Sequence, residues 1–430
     1  MKLDYIQRII DKHLEERLGA VGAVLIAGPK WCGKTTTAMQ QAKSVLKLQD
    51  PDKTKAYLAT AETKPSLLLK GENPRLIDEW QMAPVIWDAV RNAVDERGED
   101  GLFILTGSTT VDESSIMHTG TGRISRMVMY PMSLYESGES NGKIPLCELF
   151  KNPDIDIDGI TSELSIENLV FAACRGGWPS SLRKKTEKAM LFEAQNYVAN
   201  IYESDASTVD GVKRSPERVK TVMQSYARNI STLASDKTIL EDIVSNYADI
   251  SKTTLYGYLN VLERLYVIED VPAWSPSIRS ATSIRSRKKK AFVDPSIAIA
   301  ALALSPEVLL LDLNTFGLIF ESLCIRDLKI YSSALGGYVS YYNDRYGLEA
   351  DCVLHLADGR YALIEFKLGS REIEEGAAHL VELKNLIRKT NAEKHTKLRE
   401  PDLLMVITGG EMAYTRNDGV MIIPIGALKD

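Results

Sequence analysis

Gly28 and Gly33, with Lys34 and Thr35 directly after the second, give the spacing GxxxxGKT. Residue types in this order suit phosphate binding. Glycine lets a backbone turn around an anion without a Cβ clash. The loop N–H groups and the start of the following helix then face the negative charge. Lys34 is expected to reach the β- and γ-phosphates, and the Thr35 hydroxyl to meet a magnesium ion. The expected nucleotide set is Gly28, Pro29, Lys30, Trp31, Cys32, Gly33, Lys34, Thr35 and Thr36. ATP and Mg2+ are the implied ligands.

Hydrolysis needs a base and a metal ligand near that loop. The run RLIDEW ends on Asp78 and Glu79. Asp78 suits magnesium coordination through water, and Glu79 suits activation of an attacking water. Two acids at a strand end are ordinary by themselves; after a phosphate loop they have a substrate. FILTGS adds Thr106 and Ser108, hydroxyls suited to a place between the Asp78 strand and the phosphate; the alternative is an ordinary strand end with turn residues. Arg123 and Arg126 follow. An arginine aimed at a γ-phosphate, on the same chain or a neighbour, is worth ~10³–10⁵ in rate. The alternative for both is a structural or solvated arginine.

A second constellation lies near the C-terminus. Asp351 leads one strand-like run, Asp358-Gly359 makes a tight turn, and Glu365 and Lys367 follow two apart on one face. These three resemble the D…ExK signature of PD-(D/E)xK nucleases, and Glu321 matches an acid that some of them use from an upstream helix. In that reading two carboxylates hold magnesium and Lys367 stabilises charge or positions water. The competing reading is a degenerate domain used for binding. His355 and His379 read as structural or exposed, and Tyr338, Tyr341, Tyr342 and Tyr346 mainly as packing residues.

Formal net charge is −6, so any nucleic-acid contact must be a local basic patch. SIRSATSIRSRKKK is the one dense cluster, with Arg279, Arg285, Arg287, Lys288, Lys289 and Lys290. Interleaved serines without aromatics suit a phosphate-binding hairpin, or a merely solvated loop. Upstream, Ser251 is a candidate N-cap for a helix whose first residues Lys252, Thr253 and Thr254, with Tyr256 and Tyr258, offer DNA contacts. The alternative is a helix that packs on the ATPase or meets a protein partner.

The elements that must hold these residues read as follows. AVLIAG, AYLAT from Ala56, PRLIDEW and GLFILTGS read as strands. TTTAMQQAKSVL and VIWDAVRNAVDERG read as helices, giving a parallel sheet under helices. Residues 144–276 read as mostly helical, ending in helix, turn, helix and strand pair. From about Ser280 strands return at YVSYYND, EADCVLHLA, RYALIEFKL and LLMVITG, around a helix at GAAHLVELKNLIRKT. Cys32, Cys147, Cys174, Cys324 and Cys352 form no CxxC pair, which argues against zinc and suits reduced thiols in a cytoplasmic protein. The N-terminus lacks the apolar stretch of a signal peptide, and IAIAALAL from Ile297 is too short to span a bilayer.

Together IIDKHLEERLGAVGAVLIAGPKWCGKTTTA, LIDEWQMAP, ILTGS, GRISRMVMYPMSLYE, GGWP and KKKAFVDPSIA resemble a prokaryotic AAA+ family. Its members pair an N-terminal AAA-type ATPase domain with a C-terminal domain of unknown function. The resemblance covers nearly the whole chain. It implies an α/β fold: an ASCE-class P-loop NTPase sheet, a helical lid, a winged-helix middle region and a restriction-endonuclease-like C-terminal α/β unit. Ser108 then resembles a sensor 1 residue. The expected segments are 1–140 for the ATPase core, 141–210 for the lid, 211–278 for the winged helix and 279–430 for the nuclease-like unit. The expected function is an ATPase whose nucleotide state regulates a DNA-associated C-terminal unit. The alternatives are an ATP-gated metal-dependent nuclease and a nucleotide switch for a protein partner. An oligomer is compatible with all three.

Overall fold

A strand buried at each of its five residues, β1 (Ala23–Ala27), feeds the glycine-bounded loop. Its burial follows from its place, since β4 (Phe103–Gly107) pairs with it on one side and β5 (Ile124–Val128) on the other. The computed structural model describes residues 5–110, 119–209, 211–246, 250–275, 286–344, 346–393 and 398–430. The chain divides into two compact units. The first comprises residues 1–131, 208–212 and 260–267; the second comprises 132–207, 213–259 and 268–430.

The first unit is a five-stranded sheet. With β2 (Ser44–Lys47) and β3 (Arg75–Asp78), its order is β2-β3-β4-β1-β5, and every pairing is parallel. Parallel neighbours need long crossovers. The helices α2 (Lys34–Gln41), α3 (Thr54–Thr63) and α4 (Val85–Arg97) lie in these connections, and α1 (Ile10–Leu18) precedes β1. Successive strand residues serve opposite faces. Leu25, Ile77, Phe103 and Leu105 join one core with Trp80, Trp87 and Val90; Val24, Ile26, Leu76 and Ile104 join another with Leu14 and Met127. Both faces are apolar, so these strands read as continuous hydrophobic runs.

Two sequence expectations are corrected here. AYLAT lies inside α3, and the strand is Ser44–Lys47, which the sequence places at the end of a helix. The helix after the loop ends at Gln41 because Ala42 turns extended and the Lys43 N–H joins the Pro74 carbonyl at 2.9 Å. The alanine-rich run at 56–61, with Thr60 its one β-branched residue, then suits a helix better than a sheet. The fifth strand, β5, was not expected at all.

The second unit begins with the short helix Leu134–Ser137 and the two-residue strand β6 (Ile144–Pro145), and is then mostly helical as far as residue 259, where its last helix passes into the first unit. The helix Pro216–Arg228, the helix Asp236–Asn246 and the helix Lys252–Arg264 follow in turn. In place of a continuous strand pair come two antiparallel bridges, Ile268 with Phe292 and Val271 with Lys289. The C-terminal sheet runs β11-β12-β10-β9-β8-β7, made from β7 (Tyr338–Asn343), β8 (Glu349–His355), β9 (Tyr361–Lys367), β10 (Leu403–Thr408), β11 (Tyr414–Thr415) and β12 (Met421–Pro424). The helix Ile373–Glu393 covers one face through Ala377, Leu380, Leu383 and Ile387. The closing strand β13 (Leu428–Lys429) pairs with β6.

An ion-pair network ties this unit together. Arg326, on the helix Leu313–Ser332, pairs with Asp294 at 2.8 Å and Asp327 at 2.7 Å, all three fully buried. Asp294 also accepts from the Gly177 N–H at 3.0 Å, and Asp327 from the Leu134 N–H at 3.0 Å. Trp178 donates its indole N–H to Ser296 at 3.0 Å. The sequence pieces GGWP and VDPSIA are thus two halves of one contact. Gly177 admits no side chain there, since a Cβ would stand 2.1 Å from the Met132 carbonyl oxygen. Among the described residues, no helix is long and apolar enough to cross a membrane.

Candidate functional site

The loop between β1 and α2 bends through three left-handed residues, Gly28 at φ 142°, Trp31 at 66° and Gly33 at 106°. A Cβ on Gly28 would lie 2.2 Å from the Met129 carbonyl oxygen, so the first glycine is fixed by contact as well as by φ. Lys34 is buried and folds back on the loop, donating to the carbonyl oxygens of Gly28 at 2.9 Å and Pro29 at 2.7 Å. Its ammonium therefore already sits in the cradle that a phosphate would share.

Beside the loop, Thr35 donates to Asp78 Oδ1 at 2.6 Å, and Thr106 donates to the same oxygen at 2.6 Å. The sheet order explains this meeting, because β4 lies between β1 and β3 and carries Thr106 to both. Successive residues of an extended strand point oppositely. Glu79 breaks that alternation with a left-handed backbone, φ 57° and ψ 48°. Both acids therefore find partners along β4 and just beyond it: Asp78 at Thr106, and Glu79 at Ser108, whose hydroxyl donates to Glu79 Oε2 at 3.0 Å. The Gln81 amide donates to the same Glu79 oxygen, and the Glu79 N–H reaches the Thr106 hydroxyl at 3.3 Å. A non-glycine residue held left-handed costs on the order of 1–3 kcal/mol, which these contacts offset.

The donors present fit a nucleotide with magnesium. The loop presents Lys34 and a helix start, and the Thr35 hydroxyl and Asp78 carboxylate are the hard oxygen ligands that magnesium takes.

Three residues of this site carry no signal in the sequence. Gln81 sits in the quoted run LIDEWQMAP without an assigned role. Arg8, buried, donates to the Cys32 carbonyl at 2.8 Å and the Tyr130 carbonyl at 2.9 Å, pinning the loop from below. Tyr5 shares a 2.8 Å hydroxyl contact with Thr37. Both N-terminal residues belong to an amphipathic stretch that any helical protein could carry.

The two arginines lie elsewhere in this unit. Arg123 precedes β5 at the sheet edge opposite the loop and pairs with Asp95 at 2.6 Å. Five strand residues separate it from the loop edge, roughly 16 Å at the usual rise. Arg126 lies 4.9 Å over the Trp87 ring. The expectation that either meets a phosphate on its own chain is corrected by these positions.

In the second unit Glu321, Asp351, Glu365 and Lys367 do converge. Lys367 pairs with Glu365 Oε2 at 3.1 Å, and Asp351 Oδ2 accepts from the Phe366 N–H at 3.1 Å. A fifth residue joins them. Lys289 Nζ lies 2.6 Å from Glu321 Oε1 and 3.4 Å from Asp351 Oδ1. Burial pushes the Glu321 carboxyl up to about 8, with Lys289 pulling down and Asp351 adding to the rise. Burial and the Asp351 charge likewise push Glu365 up to about 8 against the pull of Lys367. Burial opposes the charge on Lys289, but Glu321 and Asp351 hold its ammonium above the ordinary lysine range.

Lys289 and Lys290 are therefore not contacts of a solvated DNA-binding loop, and that expectation is corrected. Lys290 is buried as well, between Asp236 and Asp270 at 3.0 Å each. Arg287 and Lys288 are exposed, while Arg279 and Arg285 lie outside the described residues. At the helix Lys252–Arg264, Ser251 accepts from the Thr254 N–H at 3.1 Å, and Lys252, Thr253 and Tyr256 are exposed. His355 stacks on Tyr338 at 4.8 Å, and burial lowers its pKa to about 4.

Residues 21–138 match the family described as AAA domain. Residues 166–308 and 316–428 match two families described as domains of unknown function, DUF8612 and DUF4143. The Walker-type ATPase of Pyrococcus abyssi is 15% identical with a TM-score of 0.44, over 69% of this chain and 96% of that one. A DNA polymerase III gamma subunit-related protein from Thermotoga maritima is 12% identical with a TM-score of 0.22, over 60% of this chain and 100% of its own. No curated protein matches the chain. The match to an AAA domain thus covers most of the first unit, including the glycine-bounded loop, Asp78 and Glu79.

Proposed function

We propose that this AAA-type ATPase binds ATP with Mg2+ through the loop at residues 28–36, hydrolyses it, and uses the nucleotide state to regulate the second unit. The observation that carries the reading is the run of contacts from Thr35 through Asp78 to Thr106, with Glu79 held beside it by Ser108 and Gln81. In this reading Lys34 leaves its two carbonyl partners for the phosphates. Thr35 and Asp78 would hold the magnesium ion, which supplies charge neutralisation at the phosphates when bound. The Glu79 carboxylate takes the proton of the attacking water, and Ser108 keeps that carboxylate aimed.

The test is steady-state ATP hydrolysis by the wild-type chain and Lys34→Ala, each with and without duplex DNA. Wild type is expected to turn over ATP and Lys34→Ala to lose turnover to background. An unchanged rate in Lys34→Ala would overturn the reading. The DNA arm addresses a second proposal, that the exposed Lys252, Thr253 and Tyr256, with Arg287 and Lys288, touch phosphates. Its expected result is stimulation that falls steeply with salt, as counterion release requires.

A further inference from the structure

The PD-(D/E)xK resemblance implies a magnesium ion held by Asp351 and Glu365, and the side chains present do not fit one. Metal ligation needs carboxylate oxygens left uncommitted and convergent. Both oxygens of Asp351 are engaged, Oδ1 facing Lys289 at 3.4 Å and Oδ2 accepting from the Phe366 N–H at 3.1 Å. Glu321 Oε1 is held by Lys289 at 2.6 Å, and Glu365 Oε2 by Lys367 at 3.1 Å. Glu365 Oε1 is buried without a hydrogen-bond partner, but a divalent ion needs several convergent oxygens. No group of three or more His, Cys, Asp or Glu residues among those described is arranged to hold a metal.

We propose that Lys289 is the resident cation of this cluster, its ammonium filling the position between Glu321 and Asp351 from which it excludes Mg2+ and Mn2+. Its position is built from the backbone outward. Lys289 and Val271 exchange both main-chain hydrogen bonds at 2.9 Å, which pins the residue, and the Tyr341 ring lies 5.7 Å from Nζ. Only about a tenth of each partner's side chain is exposed, 9% for Lys289 and 11% for Glu321, so solvent competes weakly for either charge. The second unit is therefore a metal-independent module that keeps the carboxylates of a nuclease-like centre and supplies its cation from its own chain.

The experiment counts bound Mn2+ on the full chain without nucleotide, from the loss of the free-ion resonance signal. Wild type and Glu365→Gln are expected to hold the same number of ions, Lys289→Met one more, and Lys289→Met with Glu365→Gln the wild-type number again. Folding of each variant is checked by circular dichroism. If Glu365→Gln in the wild-type background loses one ion, or folded Lys289→Met gains none, the proposal is overturned. Should Lys289→Met fail to fold, the wild-type and Glu365→Gln pair still decides, equal counts supporting the proposal and a lost ion refuting it. The ATPase reading is independent, since Lys34, Thr35 and Asp78 are unaltered throughout.

Discussion

Glu79→Gln is expected to slow ATP hydrolysis by ~10²–10⁴-fold while ATP remains bound, the span that a positioned general base supplies. That loss is about 3–5 kcal/mol of barrier. The substitution keeps shape and removes only basicity. Ser108 can still donate to the new amide oxygen, and the left-handed turn at residue 79 is unaltered because it is held by main-chain and Thr106 contacts. Lys34 and Thr35 are untouched, so affinity should survive. Single-turnover hydrolysis, with retention of labelled nucleotide on a filter, reads both quantities. A wild-type rate in Glu79→Gln would remove Glu79 as the base and shift attention to Asp78. Loss of binding would show instead that the carboxylate charge organises the loop.

Arg326→Met carries the largest expected loss of stability. Arg326, Asp294 and Asp327 are buried together, and among the described residues Arg326 alone pairs with both carboxylates. Breaking a buried pair from one side costs about 3–5 kcal/mol, because the partner stays uncompensated. Here two carboxylates would be stranded, and they also cap the N–H groups of Gly177 and Leu134. Burial already raises the Asp327 carboxyl against the pull of Arg326, so the variant should take up a proton on folding. A lowered urea midpoint for the second unit with unchanged slope is the expected reading. A shift worth less than about 1 kcal/mol, the scale of an exposed ion pair, would contradict the account.

Some of this was legible in the sequence for a plain physical reason. The tight loop after β1 makes demands on the backbone that only particular residues meet, and Gly28 shows them twice, in its φ and in its closeness to Met129. The placement of Asp78 and Glu79 beside the glycine loop was legible because a short apolar strand of a parallel sheet ends at the same edge as its neighbours. The run of three lysines at 288–290 was not legible. Identical side chains meet three environments: Lys288 is exposed, Lys289 faces Glu321 and Asp351, and Lys290 faces Asp236 and Asp270. Those partners lie 20 to 62 residues away in the chain, where no local pattern reaches. The same limit hid Arg8, whose partners Cys32 and Tyr130 are brought together only by the sheet. The mistaken strand at 56–60 had another cause, since a short apolar run of small residues fits helix and strand alike.

The first unit takes in residues 260–267, which follow the second unit's first long stretch in the chain. Arg264 accepts at its carbonyl from the Thr110 N–H at 2.9 Å, and Tyr266 packs against the core that holds Trp80 and Trp87. In genetic terms the first unit is therefore not a detachable cassette. A gene fragment cut after residue 140 would keep every residue of the phosphate loop and both acids. It would still lack the far-downstream tyrosine that helps close the core beneath them. Recombination that exchanged the C-terminal half of this protein for another would have to carry that short stretch along, or leave the first unit's core with an open seam.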